Sequence, residues 1–377
     1  MSAAASRALR AALHLPVVLP VAALLLLGLL FLSGVDKAGQ QVTGIAVGLA
    51  IGAVLVLVPY KQLVAKAYLF YVANIVLLVL VLFVADEVKG SQRWIKVPVF
   101  GNMQPSEFMK LTLVLTLSRF IRFKSSYKTF KGLGAPFLLT VVPMALVLRQ
   151  PDLGTALLCV PILFTMLFVA GARARHLLVI TVLGLASLAP VYTLLGDYQK
   201  ARIDGFIGHL VSGDAPAQER KHHRQAKGYQ LYQSQIALGS GGLAGVGIGE
   251  GNAHAAAWVP ENHTDFIFSV VGNEAGFLGT ALVLALFGAL LLAILAVAWR
   301  HREPAGRLLC AGVFALFAAQ AIVNVAMTVG LLPITGLTLP FLSYGRSSVV
   351  TSLAAIALVC NVAARPSYEF GPDDFSS

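Results

Sequence analysis

The 377-residue chain is 58% hydrophobic and only 12% charged, with a mean hydropathy of +0.81. A water-soluble core does not need that much apolar sequence, and the formal net charge of +11 suits loops facing an anionic leaflet better than a nucleic-acid surface. Composition therefore excludes a soluble enzyme and a nucleic-acid binder, and leaves an all-α, polytopic integral membrane protein built as a single domain over residues 1–377.

Apolar runs of about 20 residues cross ~30 Å of hydrocarbon as helices. Ten are predicted: 15–34, 42–59, 64–85, 105–121, 135–149, 152–171, 176–196, 265–299, 307–330 and 347–364. Arg7 and Arg10 precede the first, as they would a signal peptide. That run is long and no small-residue cleavage site follows, so it reads as a retained helix. The fifth run is short and carries Pro143. The eighth exceeds one crossing, so it is expected to tilt, kink at its glycines or extend beyond the bilayer. Cys159, Cys310 and Cys360 all lie inside apolar runs without metal-ligand spacing and read as small core residues.

Alternate loops differ in charge. One set, which includes both ends of the chain and the run Arg119, Arg122, Lys124, Lys128 and Lys131, holds fifteen basic residues; the short loops of the other set hold six, namely Lys37, Lys89, Arg93, Lys96, Arg149 and Arg346. The positive-inside rule puts the first set, both termini and the tail 366–377 in the cytoplasm of a bacterial inner membrane. The opposite face then carries loop 86–104, the turn Arg149-Gln-Pro-Asp152, a large segment 197–264 between the seventh and eighth helices, and the segment 331–346. The last is apolar yet interrupted by Pro333 and Pro340. Irregular backbone at membrane depth is tolerated only against protein or a water-filled cavity, so it is expected to fold back over an outward-facing cavity.

The chemistry-bearing residues gather on that face. Asp265 follows His263 and Thr264 at a predicted helix start, where a capping role and a role as general base or cation ligand are equally open. No serine or cysteine elbow accompanies His263, which reads as structural. Asp152 opens the sixth helix after Gln150-Pro151, again as a cap or as a partner to Asp265. Two such carboxylates are candidates to share a divalent cation, Mg²⁺ or Mn²⁺, or to divide acid and base roles; the residues leave open whether they meet. Glu107 and Lys110 are spaced to pair within one helix, or to line a polar cavity. Lys110 with Arg93, Lys96 and Arg149 forms a set of cations suited to a pyrophosphate, while headgroup contact explains Arg93 and Lys96 equally well. The glycine-rich run Gly239–Gly251 matches no phosphate-loop pattern and is expected to supply tight turns and close packing; the preceding 228–238 has the rhythm of a surface helix. Glu274, within the eighth helix, is expected to be internally satisfied.

Five motifs occur in order: Gln104-Pro-Ser-Glu-Phe-Met-Lys110, Gln150-Pro-Asp-Leu-Gly-Thr155, Gly239-Ser-Gly-Gly-Leu243, Pro260-Glu-Asn-His-Thr-Asp-Phe-Ile-Phe268 and Gly336-Leu-Thr-Leu-Pro-Phe-Leu-Ser343-Tyr-Gly345. Together they resemble the SEDS family (shape, elongation, division and sporulation proteins) over essentially the whole chain. The short amino-terminal tail is most similar to the elongation member, with the division member second. The resemblance implies ten helices and a large extracytoplasmic loop between the seventh and eighth. It also implies a peptidoglycan glycosyltransferase that polymerises lipid II, with Asp265 as the essential acidic residue. Asp152, Lys110, Arg93, Lys96, Glu107, Gln150, His263, Thr264 and Ser343 are the expected substrate contacts. Expected partners are a class B penicillin-binding transpeptidase and other elongation-complex membrane proteins. One position departs from the family's Ser-Tyr-Gly-Gly-Ser-Ser: here Arg346 stands in place of a glycine. A lipid II flippase is the rival expectation and a scaffold for the transpeptidase the third. Ionisable groups collected at one face, rather than through the midplane, favour the polymerase.

Overall fold

The computed structural model describes residues 14–33, 37–85, 93–97, 101–124, 126–186, 192–193, 197–211, 229–249 and 255–365. Arg7, Arg10, Lys89, the tail 366–377 and parts of the segment 197–264 lie outside the described residues.

The apolar runs fold as all-α spans. They are α1 (Leu15–Ser33), α2 (Ala38–Leu57), a short α3 (Tyr60–Ala65) leading into α4 (Ala67–Val84), α5 (Pro105–Phe123), α6 (Gly134–Arg149), α7 (Leu153–Val169) and α8 (Ala174–Ala186). Two helices of the long loop follow, α9 (Asp197–Val211) and α10 (Tyr229–Ser240). The last three spans are α11 (Ile267–Arg300), α12 (Pro304–Val329) and α13 (Arg346–Ala363). Before α5, β1 (Ile95–Val97) and β2 (Gly101–Met103) pair antiparallel, with Lys96 opposite Asn102.

Seven helices among the described residues are long and apolar enough to cross a membrane. α7 and α8 are apolar but shorter, at 17 and 13 residues. α5 carries Glu107, Lys110, Arg119 and Arg122 and is buried along most of its length. The third predicted run is thus two helices meeting at Lys66, and the seventh is described as a span only over 174–186. Leucines and valines stud the outside: Leu26, Leu49, Val54, Leu69, Phe83, Leu178, Leu292 and Ile322 are all exposed, the inverse of a soluble surface and what lipid contact demands.

Inside, α12 packs on α5, α7 and α11, while α13 is enclosed and lies along α2. The α2–α13 approach depends on Gly44, Gly48 and Gly52, one per turn. A Cβ at Gly48 would sit 2.7 Å from Leu353 Cδ1, and one at Gly44 2.9 Å from Val349 Cγ1. Small residues at this spacing replace the hydrophobic effect, which lipid removes, with close backbone packing.

α11 is broken, as its length and glycines suggested. Gly276 has φ +65° and ψ −158°, outside the helical region. The freed backbone groups are taken up by the glycine-rich run: Val246 and Gly247 donate to the carbonyls of Asn273 and Glu274 (3.0 and 3.1 Å), and Phe277 and Leu278 donate to Gly242 and Leu243 (2.9 and 3.1 Å). Gly245 must be glycine for this, since a Cβ there would lie 2.1 Å from the Glu274 carbonyl oxygen. The Glu274 carboxylate accepts the Gly249 amide, 3.0 Å. This run is a plug for a broken helix, and close packing was the right reading of it.

The segment 331–345 is irregular and largely buried, with Leu337, Leu339, Phe341 and Leu342 in the core. Gln41 on α2 satisfies its backbone twice, donating to the Ser343 carbonyl (3.0 Å) and accepting from the Gly345 amide (3.1 Å). At the opposite end of the bundle, Asn361 accepts the Tyr60 amide and, with Arg365, covers the carbonyls of Leu55–Val58. His301 is buried there against the Tyr60 hydroxyl, 3.1 Å.

Candidate active site

The chain reaches one end of the bundle at several points, and the motifs meet there. Asp152 sits at the N-cap of α7. Its Oδ1 accepts the Thr155 amide (3.1 Å) and its Oδ2 accepts from Gln104 Nε2 (2.9 Å) and Ser106 Oγ (3.4 Å), so the first and second motifs are joined through this one carboxylate. Asp152 thus caps α7, and both of its oxygens accept hydrogen bonds. The preceding turn is held by Arg93, whose guanidinium donates to the carbonyls of Gln150 (2.8 Å) and Pro151. Arg93 is buried, which corrects the headgroup reading. Lys96 is exposed on β1.

Asp265 is not a cap. α11 begins at Ile267 with Phe266 in the capping position, and the Thr264 hydroxyl donates backward to the Glu261 carbonyl, 3.2 Å. This corrects the expected start of the eighth helix at 265 and removes the capping role there. Three successive carbonyls are instead tied down from outside. Tyr344 N donates to His263 (2.8 Å), Ser343 Oγ to Thr264 (2.6 Å) and Asn324 Nδ2 to Asp265 (2.8 Å). Asn324 Nδ2 also reaches the Leu337 carbonyl at 2.7 Å. The segment 331–345 therefore lies directly against the Asp265 backbone.

The Asp265 side chain shares this pocket with an arginine that motif reasoning passed over. Arg202, on α9, donates to the Ile334 carbonyl (3.3 Å). Gly336, at φ +78°, shows how close the two charges lie. A Cβ there would be 3.2 Å from Arg202 Nη1 and 3.6 Å from Asp265 Oδ2, so any side chain would intrude between them. Burial pushes the Asp265 carboxyl up to about 6; Arg202 opposes this, Glu261 adds to it, Arg93 opposes it and Asp152 adds a little. Desolvation is the dominant influence, and two cations keep the carboxylate accessible near neutral pH. Asp152 and Asp265 thus share one site without sharing a contact. α7 completes the wall: a Cβ at Gly154 would lie 2.7 Å from the Thr335 carbonyl oxygen.

The remaining expected contacts lie beneath this surface. Lys110 is 1% exposed and pairs with Glu107 at 2.8 Å, so its charge is matched within α5. Gln150 is fully buried and donates from Nε2 to the Leu78 carbonyl, 3.0 Å. Ser343 is buried, and its hydroxyl bridges the Leu339 amide (2.8 Å) and the Thr264 carbonyl. All four are engaged with protein groups beneath this surface. His263 acts through its carbonyl, with its ring 5.9 Å from that of Tyr344. Arg202 went unnoticed because one arginine in a long polar loop carries no periodicity or spacing signal. Arg346 lies against the hairpin: a Cβ at Gly101 would be 2.2 Å from its Nη2, and the neighbouring Ser347 hydroxyl accepts the Gln104 amide, 3.1 Å.

For metal binding the donor set is thin. Among the described residues no group of three or more His, Cys, Asp or Glu side chains converges. With Asp152 engaged as a cap, Asp265 and the neighbouring Glu261 are the described carboxylates at this site that could meet a cation.

Comparison with known proteins follows the same residues. The family described as "Cell cycle protein", whose model carries the names FtsW, RodA and SpoVE, matches residues 8–368. The "Probable peptidoglycan glycosyltransferase FtsW" of Thiomicrospira cyclica is 36% identical over 328 residues, covering 86% of this chain and 81% of the relative. The "Peptidoglycan glycosyltransferase MrdB" of Escherichia coli K12 is 33% identical over 325 residues, covering 86% and 84%. Among solved structures, a chain from work on the structural coordination of polymerization and crosslinking by a peptidoglycan synthase complex superposes with a TM-score of 0.78 at 31% identity, covering 93% of this chain and 97% of that one. The Thermus thermophilus rod shape determining protein RodA gives 0.68 at 30% identity, covering 94% and 97%.

Proposed function

Because the chain belongs to the SEDS family of cell cycle proteins, we propose that it is a peptidoglycan glycosyltransferase that polymerises lipid II at the outer face of the bacterial cytoplasmic membrane. The observation that carries this is the Asp265 carboxylate, set against Arg202 beside Gly336, where burial pushes it up to about 6. A general base works best when its pKa lies near the working pH.

In this reading Asp265 accepts the proton of the acceptor sugar's 4-hydroxyl as that oxygen attacks the anomeric carbon of the donor. The new glycosidic bond forms with inversion, the anomeric bond to the pyrophosphate breaks, and undecaprenyl pyrophosphate leaves. Arg202 and Arg93 offset the charge growing on the leaving group. Lys96, exposed on the hairpin, is the proposed contact for the outer phosphate, while Lys110, paired with Glu107, contributes from within α5. A divalent cation, Mg²⁺ or Mn²⁺, would be held at Asp265 and not at Asp152, and would add positive charge for the pyrophosphate; the side chains alone build no complete coordination shell for it.

The charge bias between alternate loops supports placing both termini in the cytoplasm and this site outside. A class B penicillin-binding transpeptidase is the proposed partner, supported by the likeness to a chain of a peptidoglycan synthase complex, and other elongation-complex membrane proteins are proposed with it. The elongation role is the first reading; the FtsW-named relatives at 36–38% identity favour division as the second. Complementation of elongation-depleted and division-depleted cells separates these two. The activity itself is tested with purified protein and labelled lipid II on a gel. A ladder is expected, lost in Asp265→Asn; lipid scrambling without a ladder would move the assignment to a flippase.

A further inference from the structure

Asn324 is fully buried in α12, where a leucine would be the ordinary choice. Its Oδ1 has no partner among the described residues, so the position carries an amide at a disadvantage to packing. What the amide gains is on its other side. Both hydrogens of Nδ2 are used, one on the Asp265 carbonyl at 2.8 Å and one on the Leu337 carbonyl at 2.7 Å.

Those two carbonyls belong to different parts of the site. Asp265 lies two residues before α11, and no side chain caps that helix start. Leu337 follows Gly336, the residue beside which Arg202 and Asp265 converge, and Arg202 is itself seated on the Ile334 carbonyl of the same segment. One amide therefore spans the acid and the backbone that seats its cation. The neighbouring ties at His263 and Thr264 come from the 331–345 segment itself, through Tyr344 N and Ser343 Oγ. Asn324 is the tie that comes from a rigid transmembrane helix and reaches Asp265 directly.

We infer that Asn324 is a positioning residue for the polymerase reaction: it sets the Asp265 carboxylate against Arg202 by clamping the Asp265 and Leu337 carbonyls to α12. The inference rests on the reading of Asp265 as the base. A misplacement of about 1 Å at a reacting group lowers rate by up to roughly a hundredfold without weakening substrate binding. The charges facing Asp265 are Arg202 on α9, Arg93 before β1, Glu261 in the preceding turn and Asp152 at the start of α7. Releasing the clamp lets the carboxylate move from this enclosure toward water, and its titration falls toward the ordinary carboxylate range.

The experiment uses purified full-length protein, Asn324→Leu and Asn324→Asp, with lipid II titrated at several pH values and melting temperature recorded for each variant. Leucine keeps the volume and removes both donors; aspartate keeps the shape and replaces the donor by an acceptor. The expected result in both variants is a fall in kcat of about ten- to a hundredfold with KM within about twofold of the parent, and in Asn324→Leu, which adds no charge beside Asp265, an acid limb of the pH–rate profile displaced downward. Parental kcat and an unmoved acid limb in both variants would overturn the inference. So would a loss of activity that merely tracks a lower melting temperature with the acid limb in place. Asp265→Asn, run in parallel, separates the layers: if it is active the base reading fails, and if it is dead while Asn324→Leu is normal only the clamp fails.

Discussion

A carboxyl pushed up to about 6 makes two measurable claims at once, one on rate and one on stability. For rate, a base with that pKa is about nine-tenths ionised at pH 7 and about one-tenth at pH 5, so polymerisation should drop about tenfold per unit below pH 6. An aspartate at its ordinary 3.8 would stay mostly ionised at pH 5 and give a flat profile there. For stability the sign follows from the direction of the shift. The folded pKa is above the unfolded one, so the contribution of Asp265 to stability is full below about pH 4 and is lost as pH rises through about 6. The displacement is about 2 units, equivalent to about 3 kcal/mol as an upper limit; partial exposure of the residue brings the expected effect to about 1–3 kcal/mol. Asp265→Asn removes the buried charge. It should be inactive as a polymerase, melt several degrees above the parent at pH 7.5, and lose that advantage at pH 4.5. The assay is a gel ladder with labelled lipid II from pH 5 to 8, paired with thermal unfolding of parent and variant in detergent at the two pH extremes. A rate profile flat to pH 5, or melting curves for the two proteins that stay parallel between pH 4.5 and 7.5, would refute an enclosed carboxylate acting as base.

Other substitutions probe the surroundings. Arg202→Gln removes the cation that opposes the upward shift most, so the acid limb should move above pH 6; a limb that stays or moves down would detach Arg202 from Asp265. Asp152→Ala takes the acceptor from the Thr155 amide and from Gln104, and should lower stability by about 1 kcal/mol, read as a reduced melting temperature, while shifting the Asp265 limb slightly downward. Gly101→Ala places a Cβ 2.2 Å from Arg346 Nη2 at a backbone φ of +81°, and should cost about 1–2 kcal/mol from conformation alone plus a clash. Combining it with Arg346→Gly should recover the clash and leave the conformational part, so additive losses in the double variant would show that Arg346 does not rest on the hairpin. His301 is held down to about 4 by burial first and Arg307 second. Stability should therefore fall as pH drops from about 6.5 toward 4, and His301→Gln should flatten that fall in a melting series.

The sequence alone determined the solvent. Hydropathy laid out the apolar helices, because the length of an apolar run is a local property. The break in α11 was legible from its length and glycines, and Asp152 as a cap from its position before a helix. Tertiary structure decided what the side chains are for. Lys110, Gln150 and Ser343 sit in specific motifs, yet they are spent inside the protein on Glu107, Leu78, Leu339 and Thr264. Arg202 and Asn324 carry no pattern that would single them out, because their importance is a matter of which carbonyls and charges lie opposite them. Those partners come from α9, α11, α12 and the segment 331–345, stretches distant along the chain. The motifs indicated that Asp265 mattered. Its pKa, its cation and its clamp arise from desolvation and distance, and both exist only once the helices have packed.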